Sequence, residues 1–313
     1  MRDLILRFPH VAEQIFQQLD NKSLAKCREI ERLWQKFIDE RNYPWLRIVN
    51  IPRILQGGYT YMHCAAQYGQ TDMFEIILHE EVDKNPKNRW GETPFIVACS
   101  EGFMNIALML MKKSDELKID LNYKTKYNGK TAFYRACESG HLEIAEMIMK
   151  SSSKLSIDLN IKDYRGRTAF HIACDQYGHS EIAKMIMKSS SDCSIDLNIK
   201  DSLGRTAFHL ACLYGCSEIV EMIMKSSSEL TIDLNIGDTY GKTAFHLACE
   251  NGHLEVADMI MKNSSNTEID LNIKNKYGKT AFYQAYENGH LEIAELIMKN
   301  SSKLSIDLNI KDY

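Results

Sequence analysis

The stretch "GRTAFHLACLYGCSEIVEMIMK", Gly204 to Lys225, decides the fold, because the chain writes it repeatedly. It returns as "GKTAFYRACESGHLEIAEMIMK" (Gly129 to Lys150), "GRTAFHIACDQYGHSEIAKMIMK" (Gly166 to Lys188), "GKTAFHLACENGHLEVADMIMK" (Gly241 to Lys262) and "GKTAFYQAYENGHLEIAELIMK" (Gly278 to Lys299). Two looser copies precede these, "GYTYMHCAAQYGQTDMFEIIL" from Gly58 and "GETPFIVACSEGFMNIALMLM" from Gly91. The marker threonine falls at Thr60, Thr93, Thr131, Thr168, Thr206, Thr243 and Thr280, spaced by 33, 38, 37, 38, 37 and 37 residues. A period in this range marks an array of stacked units.

Each copy predicts one such unit. Thr168 stands where a helix should start and can cap its free amides. "AFHIACDQY" follows as a short first helix, and Gly178 suits the left-handed position past its end. "SEIAKMIMK" predicts a second helix with its apolar residues on one face. In other copies an acid precedes a lysine by four, at Glu146/Lys150, Glu221/Lys225, Asp258/Lys262 and Glu295/Lys299, which supports a solvent-facing outer side. The serine run "SSSKLS" is expected to break this helix, and "IDLNIKDYRG" to turn back as an extended arm or hairpin. Two helices this short cannot bury an apolar face alone, so the copies must stack into a solenoid.

The pattern G-K/R-T-A-F-H-L-A-C-x-x-G-H-L-E-I-A resembles the ankyrin repeat, with its G-x-T-P-L-H-x-A…G-H register. The resemblance covers Gly58 to the C-terminus. It implies an all-α fold: an ankyrin-repeat solenoid of seven helix-turn-helix repeats plus a partial eighth, spanning residues 58–313. Alanine replaces the usual proline after threonine except at Thr93–Pro94, and four or five extra residues lengthen the linker after the second helix.

The repeat also accounts for the histidines and cysteines. His63, His171, His209 and His246 share the position three after the threonine; His141, His179, His253 and His290 follow the turn glycine. Cys99, Cys137, Cys174, Cys212 and Cys249 lie six after the threonine, where a small apolar residue suits a tight helix contact. Cys212 and Cys216 have a C-x3-C spacing with no second pair nearby, so a zinc site is not expected. The sequence carries no Gly-rich phosphate loop, nucleophile elbow or histidine–carboxylate constellation. A non-enzymatic protein with no cofactor and no metal is expected.

The whole-chain totals agree. At 313 residues the chain is 44% apolar and 26% charged, with a net charge of −4, which argues against nucleic-acid binding. "MRDLILRFPH" lacks a signal-peptide core, and no apolar run approaches the ~18 residues of a membrane span. The nine cysteines are expected as free thiols of an intracellular protein, in cytoplasm and/or nucleus, with no membrane insertion.

Residues 1–50 are a different object, with nine basic and seven acidic side chains and no repeat phase. "FPHVAEQIFQQLDNKSLAKCREIERLWQKFIDERNYPW" reads as three short helical pieces. Val11, Ile15 and Leu19 form one stripe with Phe16 beside it. Leu24, Cys27, Ile30, Trp34 and Phe37 or Ile38 form a second, and "NYP" at Asn42 to Pro44 ends the unit. "FP", "IFQQLD" and "SLAKCREIERLWQKFID" are similar to the F-box, although the acid expected soon after the proline is displaced to Glu13. The resemblance implies a small three-helix F-box-like module over residues 1–46, with 47–57 as linker. It implies a Skp-type adaptor and a cullin ligase core as partners, with Phe8, Pro9, Ile15, Phe16, Leu19, Leu24 and Trp34 forming or supporting the docking surface. A module of this size buries too little apolar surface to be stable alone. The alternative is that it packs on the first repeat as a cap, leaving the protein a scaffold or tether.

A protein target is expected on the arm tips and the exposed side of the first helices. The tips read "NRWG", "KYNG", "DYRG", "DSLG", "DTYG" and "NKYG", which nominates Arg89, Trp90, Tyr127, Tyr164, Arg165, Leu203, Tyr240 and Tyr277. On a first helix, Tyr134 and Arg135 depart from the His/Leu pattern, as do Tyr283 and Gln284. The alternative is neutral variation in a duplicated array. The final "SSKLSIDLNIKDY", Ser301 to Tyr313, repeats Ser152 to Tyr164, where it runs on into "RGRTAFHIAC". This suggests an array that continues further, or else a terminal arm that shields the last edge.

Overall fold

In the computed structural model, residues 58–80, 83–176 and 178–308 are described. Among them there are fifteen α-helices and no strand, which meets the all-α expectation. The helices fall in pairs, one pair per copy. The chain divides into two compact units, one running to Asp120 with Thr125–Tyr127, the other holding Leu121–Lys124 and Asn128 onward.

In the first unit, α1 (Tyr61–Gln67) and α2 (Thr71–Glu80) pair, as do α3 (Pro94–Glu101) and α4 (Met104–Lys112), with a short α5 (Ser114–Leu117) after them. Helix α1 packs on α3 and α2 on α4. Met62, Phe74, Leu78, Ile96, Ile106 and Leu110 fill the space between, each at most 1% exposed.

In the second unit the first helices are α6 (Ala132–Glu138), α8 (Ala169–Ala173), α10 (Ala207–Leu213), α12 (Ala244–Glu250) and α14 (Ala281–Glu287). The second helices are α7 (Leu142–Leu155), α9 (Ser180–Lys188), α11 (Ser217–Ser226), α13 (Leu254–Thr267) and α15 (Leu291–Leu304). Each first helix packs on the next first helix, and each second helix on the next second helix. The apolar stripe read from the sequence faces inward: α11 buries Ile219, Val220, Ile223 and Met224. Burial of each such side chain contributes about 1.5–3 kcal/mol.

The threonines cap as expected. Thr168 takes the N-cap of α8 in extended backbone, and His171 completes a capping box. Glycine is required at the turn between helices. Gly140 has φ +77°, and a Cβ there would lie 2.9 Å from the ring of His179 in the next pair.

Two expectations need correction. The serine run does not break the second helix in every copy: α7 continues through "SSSKL" to Leu155. Ser152 is buried, and its hydroxyl donates to the Met149 carbonyl at 2.7 Å, so its polar group is satisfied within the helix. The helix ends one residue later at Ser156, in the left-handed region at φ 51°. Nor does the arm form strands; it descends as a series of turns.

Left-handed residues recur at Lys118, Ser194, Thr231, Glu268 and Ser305, with φ between 51° and 55° except 50° at Ser305. None is glycine, so each conformation costs roughly 1–2 kcal/mol. A stapling asparagine offsets this cost. Asn160 Nδ2 donates to the Ser194 carbonyl at 2.8 Å, while its Oδ1 accepts the Asp196 amide at 2.9 Å. Asn122, Asn198, Asn235 and Asn272 repeat both bonds, one pair further along each time. The residues that lengthen this repeat therefore build a loop that each preceding arm grips.

Candidate functional site

The arm tips are turns organised by a single side chain. Asp163 Oδ1 accepts the amides of Arg165 and Arg167, both at 2.8 Å. Its Oδ2 accepts Arg167 Nε at 3.1 Å and Nη2 at 3.0 Å. Asp201 repeats this arrangement with Leu203 and Arg205. Asp238 holds the Tyr240 and Lys242 amides, and Asn275 those of Tyr277 and Lys279. In the first unit Asn88 holds the amides of Trp90 and Glu92.

Main-chain bonds join successive tips of the second unit. The amides of Tyr164, Ser202, Thr239 and Lys276 donate to the carbonyls of Asn128, Arg165, Leu203 and Tyr240, each at 2.9 Å. Tyr164, Arg165, Leu203, Tyr240 and Tyr277 thus sit along one tied row. All are exposed, the tyrosines by 48% at Tyr240 to 63% at Tyr277. The Lys124 ammonium lies 5.4 Å from the Tyr164 ring centre.

In the first unit, Arg89 stacks on Trp90 at 4.3 Å, and both are exposed. Tyr59 meets Trp90 edge-on at 5.6 Å and His63 at 5.5 Å. Burial and the nearby acids push the Tyr59 phenol up to about 12. Sequence reading missed Tyr59, although it replaces the lysine, arginine or glutamate that other copies place before the threonine. Tyr127 is exposed at its own tip, with Lys126 at 5.5 Å.

Tyr134 is a correction. It is 1% exposed and offers no surface to a partner. Its hydroxyl donates to Asp163 Oδ2 at 2.8 Å, so it bridges to the next copy from the position that histidine holds elsewhere. Arg135 is half-buried and pairs with Glu138 at 3.0 Å. Phe8, Pro9, Ile15, Phe16, Leu19, Leu24 and Trp34 lie outside the described residues.

The repeated histidines are structural. The amides of Thr60, Thr168, Thr206 and Thr243 donate to Nδ1 of His63, His171, His209 and His246. An accepting Nδ1 leaves the proton on Nε2, which donates to a carbonyl of the following copy, at Glu92, Arg205, Lys242 and Lys279. Burial drives His63, His171 and His209 down to about 4. The histidines after the turn glycine reach back instead: His179, His253 and His290 bond the carbonyls of Glu138, Leu213 and Glu250. Cys216 takes this role with its thiol 3.4 Å from the Asp175 carbonyl. Cys99, Cys137, Cys174, Cys212 and Cys249 are fully buried, and burial pushes their thiols well up. Among the described residues no cluster of histidine, cysteine and acids could hold a metal, and no helix is long and apolar enough to cross a membrane.

Comparison with known proteins agrees with this geometry. The family model described as "Ankyrin repeats (3 copies)" matches three times, over residues 62–163, 154–238 and 227–312. No F-box domain is detected. No curated protein matches the chain. A model that covers most of the sequence, on helix pairs stacked and capped in this way, shows that the chain belongs to the ankyrin repeat family.

Proposed function

We propose that this protein is a non-enzymatic, intracellular adaptor that holds a protein target on its ankyrin arms and delivers it to a ubiquitin ligase. Ankyrin repeats support protein–protein interaction in general. The observation that carries the reading further is the row of exposed tyrosine, arginine and leucine side chains on tips that are fixed by Asx turns and tied to one another. Aromatic and arginine anchors on a rigid frame lose little entropy on binding. Residues 1–46 would recruit the Skp-type adaptor, on the strength of the F-box-like register of Phe8, Pro9, Ile15, Phe16, Leu19, Leu24 and Trp34.

Co-purification of the full chain with a Skp-type adaptor, beside Trp34→Ala and Phe16→Ala, tests the recruiting role. A stoichiometric complex lost in both variants, with helicity unchanged by circular dichroism, is expected. An adaptor that fails to bind the unaltered chain would reduce the protein to a scaffold whose N-terminal residues only cap the array.

A further inference from the structure

We infer that the tips of the second unit form a basic, tyrosine-lined edge that takes an extended acidic protein segment. This rests on the proposal that the arms bind a protein, and it names the chemistry of that partner.

The charge is sorted along the three arms that end at Arg165, Leu203 and Tyr277, while the arm that ends at Tyr240 brings an aromatic side chain and no cation to its tip. The chain carries −4 overall, yet Lys162, Arg165, Lys200, Lys274 and Lys276 all stand exposed at or beside the tips. The acids of the same turns are withdrawn. The Asp163 and Asp201 side chains are 2% and 1% exposed and are consumed by Arg167 and Arg205. Asp238 is half-buried and spends Oδ1 on two amides. The exposed acids, Asp158, Asp196, Asp233 and Asp270, sit at the opposite, helix end of each arm beside the stapling asparagines.

Just inside the tips the cations are neutralised. Lys130, Lys242 and Lys279 pair with Glu138, Glu250 and Glu287 at 2.5, 2.7 and 2.6 Å. Among the described residues Arg165, Lys200 and Lys276 make no ion pair, so positive charge is left uncompensated at the outermost edge. Between these cations stand Tyr164, Leu203, Tyr240 and Tyr277, roughly one apolar anchor per tip.

Such an edge suits carboxylates alternating with apolar side chains. A nucleic acid fits less well. Its continuous phosphates need an unbroken run of cations, and they would approach the exposed acid row that follows the same arms. A peptide can place a few carboxylates on the tips and turn its apolar side chains onto the tyrosines and Leu203. The main-chain bonds between tips keep this spacing fixed before the partner arrives.

The test is fluorescence anisotropy on the full chain. The probes are a labelled, disordered glutamate/leucine peptide of about 20 residues, long enough to cross several tips, its lysine/leucine counterpart, and an oligothymidylate. Arg165→Glu/Lys200→Glu/Lys276→Glu reverses the edge. Lys150→Glu/Lys225→Glu/Lys262→Glu makes the same change in net charge on outer helix faces, where these lysines are about 72% exposed. Thermal melts followed by circular dichroism confirm that both variants fold.

The unaltered chain is expected to bind the glutamate peptide in a salt-dependent way and to ignore the lysine peptide. The tip variant should bind at least about tenfold more weakly, and the outer variant as the unaltered chain does. No binding of the glutamate peptide overturns the inference, as does equal weakening by both variants. Tighter, competing binding of oligothymidylate overturns it in favour of nucleic acid. The ligase adaptor is absent from this assay, so a failure here leaves the recruiting role standing, and a failed co-purification leaves this edge standing.

Discussion

Acidification from about pH 7.5 to pH 5 should loosen the array through its buried histidines. His171 and His209 each accept a threonine amide on Nδ1, so neither ring can take a second proton without losing that bond. Both are 1% exposed and are held at about 4, against an ordinary value of 6.5. Between those values the unfolded chain binds protons that the folded chain refuses. Stability is therefore full above about pH 6.5, falls as the pH drops below it, and stops falling near pH 4. Each histidine accounts for about 2 kcal/mol by pH 5 and about 3 kcal/mol below pH 4. Urea unfolding followed by circular dichroism reads this out. With a slope of about 2 kcal/mol per molar urea, one histidine moves the midpoint by about 1 M at pH 5. His209→Gln cannot titrate, so it should lose less stability than the unaltered chain over the same interval, by about 2 kcal/mol. If the two proteins lose stability equally between pH 7.5 and pH 5, His209 is not held neutral and the tautomer argument fails.

Two further outcomes follow from contacts repeated along the arms. Asn198→Ala removes the donor to the Thr231 carbonyl and the acceptor of the Asp233 amide, both exposed, and should cost about 1–2 kcal/mol in thermal or urea unfolding. Asn198→Asp keeps the acceptor and should recover part of that. Tyr134→Phe should destabilise by about 1 kcal/mol, because Asp163 keeps Arg167 and two amides, and it should leave binding to the acidic peptide unchanged. Tyr164→Ala should do the reverse, weakening the peptide while leaving the melting temperature in place.

Much of this molecule was legible as a pattern. The seven threonines marked the number of helix pairs, because each caps the first helix of its pair. The histidines, cysteines and turn glycines read as structural from their phase alone, since a residue that recurs at one position of most units serves the unit. The exposed tips were legible too: a turn of Asp or Asn, a variable residue and glycine has nowhere to bury its middle. The serine run misled because serine often ends helices, and only the depth of Ser152 against Met149 shows its hydroxyl satisfied in place.

By itself the sequence determined the repeating unit, its caps and its tips, all of which depend on residues within a few positions of one another. Tertiary structure alone decided what lies between copies. Tyr134 looks like a free aromatic until Asp163, 29 residues on, is seen to accept its hydroxyl. Asn160 looks like an ordinary turn residue until Ser194 and Asp196, in the next copy, close on both ends of its amide. A local signal cannot carry such contacts, because stacking brings together residues that the chain keeps a full repeat apart.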